Sequence, residues 1–444
     1  MRANCSFASI PGDRSGCAAS SVETRRVLLV FFCSVACYCL GQQPGASSSA
    51  RGPAITLEQA IDLALKYNHA LLAARTQIQQ SQAQEMTASI RPNPTLSLNS
   101  LFIPFTAATA DNLNQVSEFD LGVGYTFERG GKRKRRIQAA RDQTAVVESQ
   151  VKDSERGIIF NTAQQYINAL LAKSNVELAQ QDLESFQKTV DISQEQYRAG
   201  ALSERDLLKI KVQLLQFQTD LSSAKLNLAQ ALVSLRQLLG YESVPENYEL
   251  ADQLAYQPLT LGLEDLQARA LQTRPDLRAA QRGLTAAKSQ YELARANGKR
   301  DVTSTFQYSH VGGLNTGDLL FSMELPIFDR NQGEIARTRY AINQAQETER
   351  AAGETVMTDI RNAYEAVKSN QQIVELYESG YLKQAQDSRD ISAYAYQRGA
   401  ASLLDFLDAE RSYRASQLGY RQALSGYMLS LEQLRQAVGT RNLQ

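Results

Sequence analysis

Apolar residues recur at every seventh position from Leu207. Leu207, Leu214, Leu221, Leu228 and Leu235 form one row, and Ile210, Phe217, Ala224, Ala231 and Leu238 form a second, three residues on. A seven-residue repeat with two apolar positions is the seam of a coiled coil, so the pattern predicts a helix from about Ser203 to Leu239. The same register returns near the end of the chain, with Phe406, Tyr413, Tyr420, Tyr427 and Leu434 in one row and Ala409, Ser416, Ala423, Ser430 and Ala437 in the other. Large rings set against small residues let helices interlock closely, so the tyrosine stripe is read as packing rather than as a platform for bases or sugars. No proline lies between Pro104 and Pro245 or after Pro326. Both stretches are therefore free to carry long helices, including one from about Lys132 to Tyr197. These two helices of the first stretch would be roughly 100 Å and 55 Å long.

Four short stretches alternate with period two instead: Thr95–Ile103, Phe119–Phe127, Val302–His310 and Leu319–Ile327. In the second, Phe119, Leu121, Val123, Tyr125 and Phe127 share one side, opposite Asp120, Gly122, Gly124 and Thr126; Leu319, Phe321, Met323, Leu325 and Ile327 line up likewise in the fourth. Alternation over about ten residues has the length and texture of a transmembrane strand. A soluble, half-buried sheet gives the same alternation. No segment after residue 41 is an apolar helix of membrane length.

The chain repeats itself. "DISQEQYRAGALSERDLL" from Asp191 returns as "DISAYAYQRGAASLLDFL" from Asp390, 199 positions later, and "LRQLLG" ending at Gly240 returns as "LRQAVG" ending at Gly439. "LEQAIDLALKYNHALLAA" from Leu57 parallels "LEDLQARALQTRPDLRAA" from Leu263. The expected organisation is an N-terminal leader over 1–41, a linker over 42–55, a first repeat over 56–240, a second linker over 241–261 and a second repeat over 262–444. Each repeated motif reads as the turn of a helical hairpin. Gly200 and Gly399 supply a positive φ, while Ser203 with Asp206, and Ser402 with Asp405, open the returning helices as capping boxes, as Thr56 with Gln59 does for the first helix. A charged constriction is the alternative role for Asp206 and Asp405. Capping leaves the small residues Ala199, Gly200 and Ala201, and Gly399, Ala400 and Ala401, without a structural reason to be exposed.

Composition removes most chemistry. Lysine plus arginine and aspartate plus glutamate are both 47, so net charge gives no argument for nucleic acid. All five cysteines fall at or before Cys39, in a region where Arg25 and Arg26 precede an apolar run and a small-residue zone. That is an export leader, with cleavage expected after Gly41 and a weak lipidation signal at Cys37. Beyond it the chain has no cysteine and two histidines, His69 near a helix break and His310 at a strand end. No catalytic constellation, metal-ligand cluster or cofactor fingerprint is visible, and an enzyme is not expected. "GGKRKRR" (130–136) lacks the upstream glycine and following Ser/Thr of a phosphate loop; it is read as a basic helix start facing anionic lipid headgroups.

Four strands cannot close a barrel, and open edges are not tolerated in lipid. Three copies would supply twelve strands, so closure itself predicts a homotrimer. The sequence resembles the TolC family of outer-membrane efflux factors over essentially all of the chain after the leader. The resemblance rests on "TLEQAIDLAL", "YTFERGGKRKRR", "YRAGALSERDLL", "LPIFDRNQGEIARTR" and "YQRGAASLLDFLDAER", and it points to the cobalt–zinc–cadmium (CzcC-type) branch through "RPDLRAAQ" and "LPIFDRNQGEIA". It implies a mainly α fold with a small β part. Long coiled-coil hairpins and four transmembrane strands per chain would form a trimeric twelve-strand β-barrel continuous with an α-helical barrel. It further implies an outer-membrane duct extending into the periplasm, which works with a periplasmic adaptor (a membrane fusion protein) and an inner-membrane pump of RND type, in contact with outer-membrane lipid. The adaptor would grip tips formed by Arg198, Ala199, Gly200, Ala201, Leu202 and Ser203, and by Arg398, Gly399, Ala400, Ala401 and Ser402. The competing reading is a periplasmic coiled-coil adaptor or structural scaffold, which would use the hairpins but not the strands.

Overall fold

The computed structural model describes residues 52–102 and 109–443. The expected leader, its cleavage point and Cys37 lie outside the described residues. β1 (Ala54–Ile55) precedes the first repeat, which contains α1 (Leu57–Tyr67), α2 (His69–Ser89), β2 (Thr95–Phe102), α3 (Leu113–Val116), β3 (Glu118–Phe127), α4 (Lys132–Arg198) and α5 (Glu204–Leu239). After β4 (Glu249–Leu250), the second contains α6 (Leu263–Thr273), α7 (Pro275–Asn297), β5 (Val302–Val311), β6 (Leu314–Ser322), α8 (Gln332–Leu376), α9 (Leu382–Gln397) and α10 (Leu403–Val438). Proline-free sequence and the heptads thus become 67 residues of unbroken α4 and 36 residues of α5.

Both heptad seams face inward, with Leu207, Ile210, Phe217, Leu221 and Leu235 buried in α5 and Phe406, Ala423, Tyr427, Ser430, Leu434 and Ala437 buried in α10. Each repeat packs its short first helix on its own hairpin. Ala60 and Ala64 of α1 meet Tyr166, Leu170, Leu235 and Leu239, while Leu266 and Ala270 of α6 meet Ile360, Val367, Tyr427 and Leu434. The stretch between repeats crosses from one core to the other. Val244, Tyr248 and Leu250 are buried in the first, with β4 paired in parallel to β1, and Tyr256, Leu259 and Leu261 pack on the second.

The duplication persists in hydrogen bonds whose chemistry has diverged. Asn68 Nδ2 donates to the Leu238 carbonyl at 3.0 Å, closing the end of α5. In the second repeat the corresponding residue is Arg274, whose Nη1 donates to the Ala437 carbonyl at 3.2 Å. Arg274 is 2% exposed and also meets Asp276 at 2.5 Å and Asp359 at 2.9 Å. Arg156 of α4 adds bonds to Asp153, at 2.9 Å, and to the Gln436 carbonyl, at 2.8 Å. The arginine and aspartate of "RPDLRAAQ" therefore bind α7, α8 and the end of α10 together.

The sheet runs β2-β3-β5-β6, all antiparallel, so its centre joins a strand from each repeat and its edges are β2 and β6. Leu96, Val123, Phe306 and Leu319 form one row across all four strands, and Leu98, Leu121 and Tyr308 a second. All seven are exposed, Leu96 at 74%. The opposite face carries Ser97, Gly122, Gln307 and Asp318 in one row and Asn99, Asp120, Ser309 and Thr316 in the next. Apolar out and polar in is the reverse of a soluble sheet and the texture of a membrane barrel wall. Among the described residues no helix is long and apolar enough to cross a membrane.

One expectation needs correction. The fourth strand covers Leu314–Ser322 rather than Leu319–Ile327. Gly312 and Gly313, at φ 57° and 81°, make a two-residue hairpin that starts β6 directly after β5. At the other end Ser322, opposite Thr303, is the last paired residue of β6. The second outgoing helix, unlike α4, is not continuous. α8 and α9 meet across Tyr377–Tyr381, where Gly380 takes φ 130°; the position 199 residues earlier, Gln181, lies inside unbroken α4.

Candidate functional site

The two hairpin turns lie side by side, with Gln196 Nε2 donating to the Gln397 carbonyl at 3.3 Å. Both are closed by the same chain chemistry. Gly200, at φ 75°, donates to Tyr197 O at 2.9 Å, and Ala201 N donates to Gln196 O at 2.8 Å. Gly399, at φ 73°, donates to Tyr396 O at 2.9 Å, and Ala400 N donates to Ala395 O at 2.8 Å. This pair of bonds is the Schellman ending of a helix. A Cβ at either glycine would meet nothing within 4 Å, so backbone angle, not crowding, requires glycine.

The returning helices are capped as their sequence suggests. Asp206 N donates to Ser203 Oγ at 3.1 Å, and Asp405 N donates to Ser402 Oγ at 3.2 Å. Asp405 Oδ2 accepts from Ser402 N at 3.2 Å, which completes the reciprocal box in the second turn. The Ser203 hydroxyl, donating to Asp206 at 2.8 Å, holds that carboxyl below the ordinary range, with help from Arg205 and Lys209. Arg198 pairs with Glu195 at 2.6 Å, and Arg398 lies over the Tyr394 ring at 5.3 Å. A cavity of about 490 Å³ separates the turns, lined by Leu202, Leu403 and Leu404 and flanked by Arg205, Lys209 and Arg398. Ala199, Ala201 and Ala400 are exposed, and Leu202 and Ala401 half-buried.

Just above the tips, four rings cross the four helices in order. Phe217 of α5 stacks on Phe186 of α4 at 4.6 Å, Phe186 faces Phe406 of α10 at 6.4 Å, and Phe406 stacks on Tyr396 of α9 at 5.3 Å. The helices are thus ordered α5, α4, α10, α9. Higher up, Arg414 of α10 reaches Asp182 of α4 at 3.3 Å and Asp220 of α5 at 2.6 Å. Burial pushes the carboxyls of Asp182 and of nearby Glu410 upward against the pull of Arg414 and Arg389. Sequence reading missed this bridge. Its one visible signal is the polar heptad Asn168, Asn175, Asp182, which lines a groove of about 750 Å³ between α4, α5 and α10.

Much of the basic run at the start of α4 is also engaged within the chain. Lys132 pairs with Asp301 at 2.8 Å, and Arg136 pairs with Glu128 at 2.6 Å and donates to Ala88 O and Ile90 O. Arg133 donates to Ser89 O at 2.6 Å. These side chains tie off the end of α2; in the second repeat Asn331 does the same for α7 by donating to Ala294 O at 2.7 Å. His69 opens α2 after the Asn68 cap, and His310 bonds Asn315 at 2.7 Å and Asn114 O at 3.1 Å.

The family model described as outer membrane efflux protein matches residues 60–241 and 266–440. The chain is 26% identical over 378 residues to the cobalt-zinc-cadmium resistance protein CzcC of Cupriavidus metallidurans, covering 84% of this chain and 86% of that one. It is 26% identical over 377 residues to the cation efflux system protein CusC of Escherichia coli K12, covering 80% of each. A solved structure of CusC superposes with a TM-score of 0.71 at 22% identity, covering 90% of this chain and 96% of that one. The open-state MtrE outer membrane channel of Neisseria gonorrhoeae superposes with a TM-score of 0.71 at 21% identity, covering 87% and 90%. The fold is that of these channels.

Proposed function

The chain belongs to the outer membrane efflux protein family, and from that premise we propose that it is the passive outer-membrane duct of a tripartite export system. It sits in the cell outer membrane, reaches into the periplasm, and works as a homotrimer with a periplasmic adaptor and an inner-membrane pump. One observation carries this reading: the exposed apolar rows of a sheet whose polar face is turned inward and whose β2 and β6 edges are open. Exposed backbone edges are excluded from lipid, so the edges require further strands, and three copies supply them. A periplasmic scaffold has no use for such a sheet.

The finer assignments follow from it. Residues 56–240 and 262–444 act as two repeats joined by 241–261. Arg198 to Ser203 and Arg398 to Ser402 form the tips that meet the adaptor, six per trimer, and Asp206 and Asp405 serve as helix caps rather than as a constriction. The pump is of RND type and selects the cargo; divalent heavy-metal cations, the cargo named for CzcC, are the first to test. Gly200→Asp together with Gly399→Asp tests the tips. Each change adds a charge, and a Cβ at positive φ that costs about 1 kcal/mol, into open space. The trimer should fold and insert, while export and tip-to-adaptor crosslinking are lost. Wild-type export by the double variant would reduce the tips to mere turns.

A further inference from the structure

Below the sheet lies a collar whose charges are not all paired. Lys132 is held by Asp301, Arg136 by Glu128, and Arg300 by Glu324 and Asp329. Arg129, Lys134, Lys299 and Arg330 remain exposed, and no carboxylate among the described residues forms an ion pair with their side chains. The first, third and fourth are drawn into one place. Arg129 Nη1 lies 3.5 Å from Met323 Sδ, the Lys299 side chain lies over Gly130, and the Arg330 backbone lies against Gly298. Beside them the segment after β6 exposes Leu325, Ile327 and Phe328, the last at 91%. Arg129 comes two residues after Phe127, the last of the outward-facing series Phe119, Leu121, Val123, Tyr125, Phe127 of β3, and Met323 and Leu325 follow Phe321 just past the end of β6. Large apolar side chains and unpaired cations thus follow directly on the lipid-facing rows.

Each half of this arrangement is poorly placed in water. A ring left bare costs hydrophobic free energy, and clustered cations repel one another. A membrane surface satisfies both: aromatic and aliphatic side chains sit at the acyl boundary, and cations meet phosphates just outside it. We propose that this collar binds the headgroups of anionic phospholipids in the periplasm-facing leaflet, through Arg129, Lys299 and Arg330, with Ile327 and Phe328 inserted beneath those headgroups. The proposal rests on the barrel reading of the sheet.

The chain contains no tryptophan, so Phe328→Trp places a single reporter in the collar, and Val123→Trp places one in the lipid-facing row. Each purified variant is reconstituted into phosphatidylcholine vesicles in which a fixed fraction of the lipid is either brominated phosphatidylcholine or brominated phosphatidylglycerol, and quenching by each is compared with quenching by acrylamide. Both reporters should be quenched by brominated lipid. At equal fraction, brominated phosphatidylglycerol should quench position 328 more strongly than brominated phosphatidylcholine, and Arg129→Glu with Lys299→Glu should abolish that excess while leaving the reporter at 123 unchanged. Quenching at 123 but not at 328 would overturn the collar and leave the barrel standing, with acrylamide then telling a ring in water from one covered by a second copy. Equal quenching at 328 by the two brominated lipids would overturn the anionic preference. If neither reporter is quenched, the barrel reading falls and the collar with it. Ile327→Trp serves as a second collar reporter should Phe328→Trp assemble poorly.

Discussion

Arg274 is the residue on which the second repeat is joined. It holds Asp276, Asp359 and the last turn of α10, and its position is nearly sealed. Arg274→Ala would leave Asp276 and the Ala437 carbonyl short of a donor, and because Asp276 and Asp359 keep access to solvent the lost bonds cost about 1–3 kcal/mol. A fall in thermal stability of that order is expected, with Arg274→Lys recovering only part of it because one ammonium cannot span the three partners. The bridge near Glu410 carries the opposite pH dependence from an ordinary ion pair. Asp182, Asp220, Asp390 and Glu410 surround Arg414 and Arg389, with Arg421 near Asp182. Burial raises the carboxyls of Asp182 and Glu410, so the folded chain holds their protons more tightly than the unfolded chain does. Stability from these groups therefore rises as pH falls through their raised range. Glu410→Gln should raise the melting temperature at neutral pH and flatten its increase on mild acidification; an unchanged pH slope would refute it. Neither cluster could be read beforehand. Arg274 and Asp276 stood in the sequence only as part of a recognisable motif, and Asp182, Asp220 and Arg414 meet only once α5, α4 and α10 are known to be neighbours.

Elements were far more legible than contacts, for a physical reason. The start of α4 follows two glycines, the turns carry glycine and Ser–Asp caps, and no proline interrupts, so the expected Lys132–Tyr197 helix is observed as Lys132–Arg198. Period-two alternation likewise located three strands closely, because a strand with one lipid-facing side must alternate. Failures came where one residue acts through backbone angle. A lone glycine inside a helical pattern is usually tolerated, and nothing in the heptads distinguishes Gly380 from Gln181. Yet Gly380, at φ 130°, ends α8, while Tyr377 packs against Gly419 and Glu378 accepts from Tyr420 at 2.8 Å. Gly380→Gln imports the residue of the first repeat, and an L side chain held at that angle costs roughly 1–3 kcal/mol. The variant should melt lower by that amount. A variant as stable as the parent would mean that α8 and α9 straighten freely into one helix, as α4 does.

The described residues leave open edges at both levels. In the sheet the open edges are β2 and β6; in the helical part the ring stack Phe217, Phe186, Phe406, Tyr396 makes α5 and α9 the outer members. Those same two helices carry apolar side chains with nothing to cover them, Leu208, Val212, Leu215, Leu226 and Val233 on α5, and Ile391 and Tyr394 on α9. The α5 residues form a second stripe beside the buried seam, which a two-helix hairpin does not need and a closed barrel does. Threefold closure puts α5 of one copy against α9 of the next, as it puts β2 beside the next β6. The ring stack sets Phe217 of α5 level with Tyr396 of α9, so Ile391, five residues up α9, stands near Ser222 of α5, on the stripe of Leu208 and Leu215. Ser222→Cys combined with Ile391→Cys should therefore crosslink under mild oxidation into a trimer that survives denaturing electrophoresis and collapses to monomer on reduction. Within one chain α4 and α10 stand between these positions, so a bond inside a single copy is excluded by geometry. Leu208→Cys combined with Ile391→Cys, with the first cysteine far lower on α5, should give no ladder. Equal trimer yield from both pairs would refute this closure, and monomer from both would remove the homotrimer.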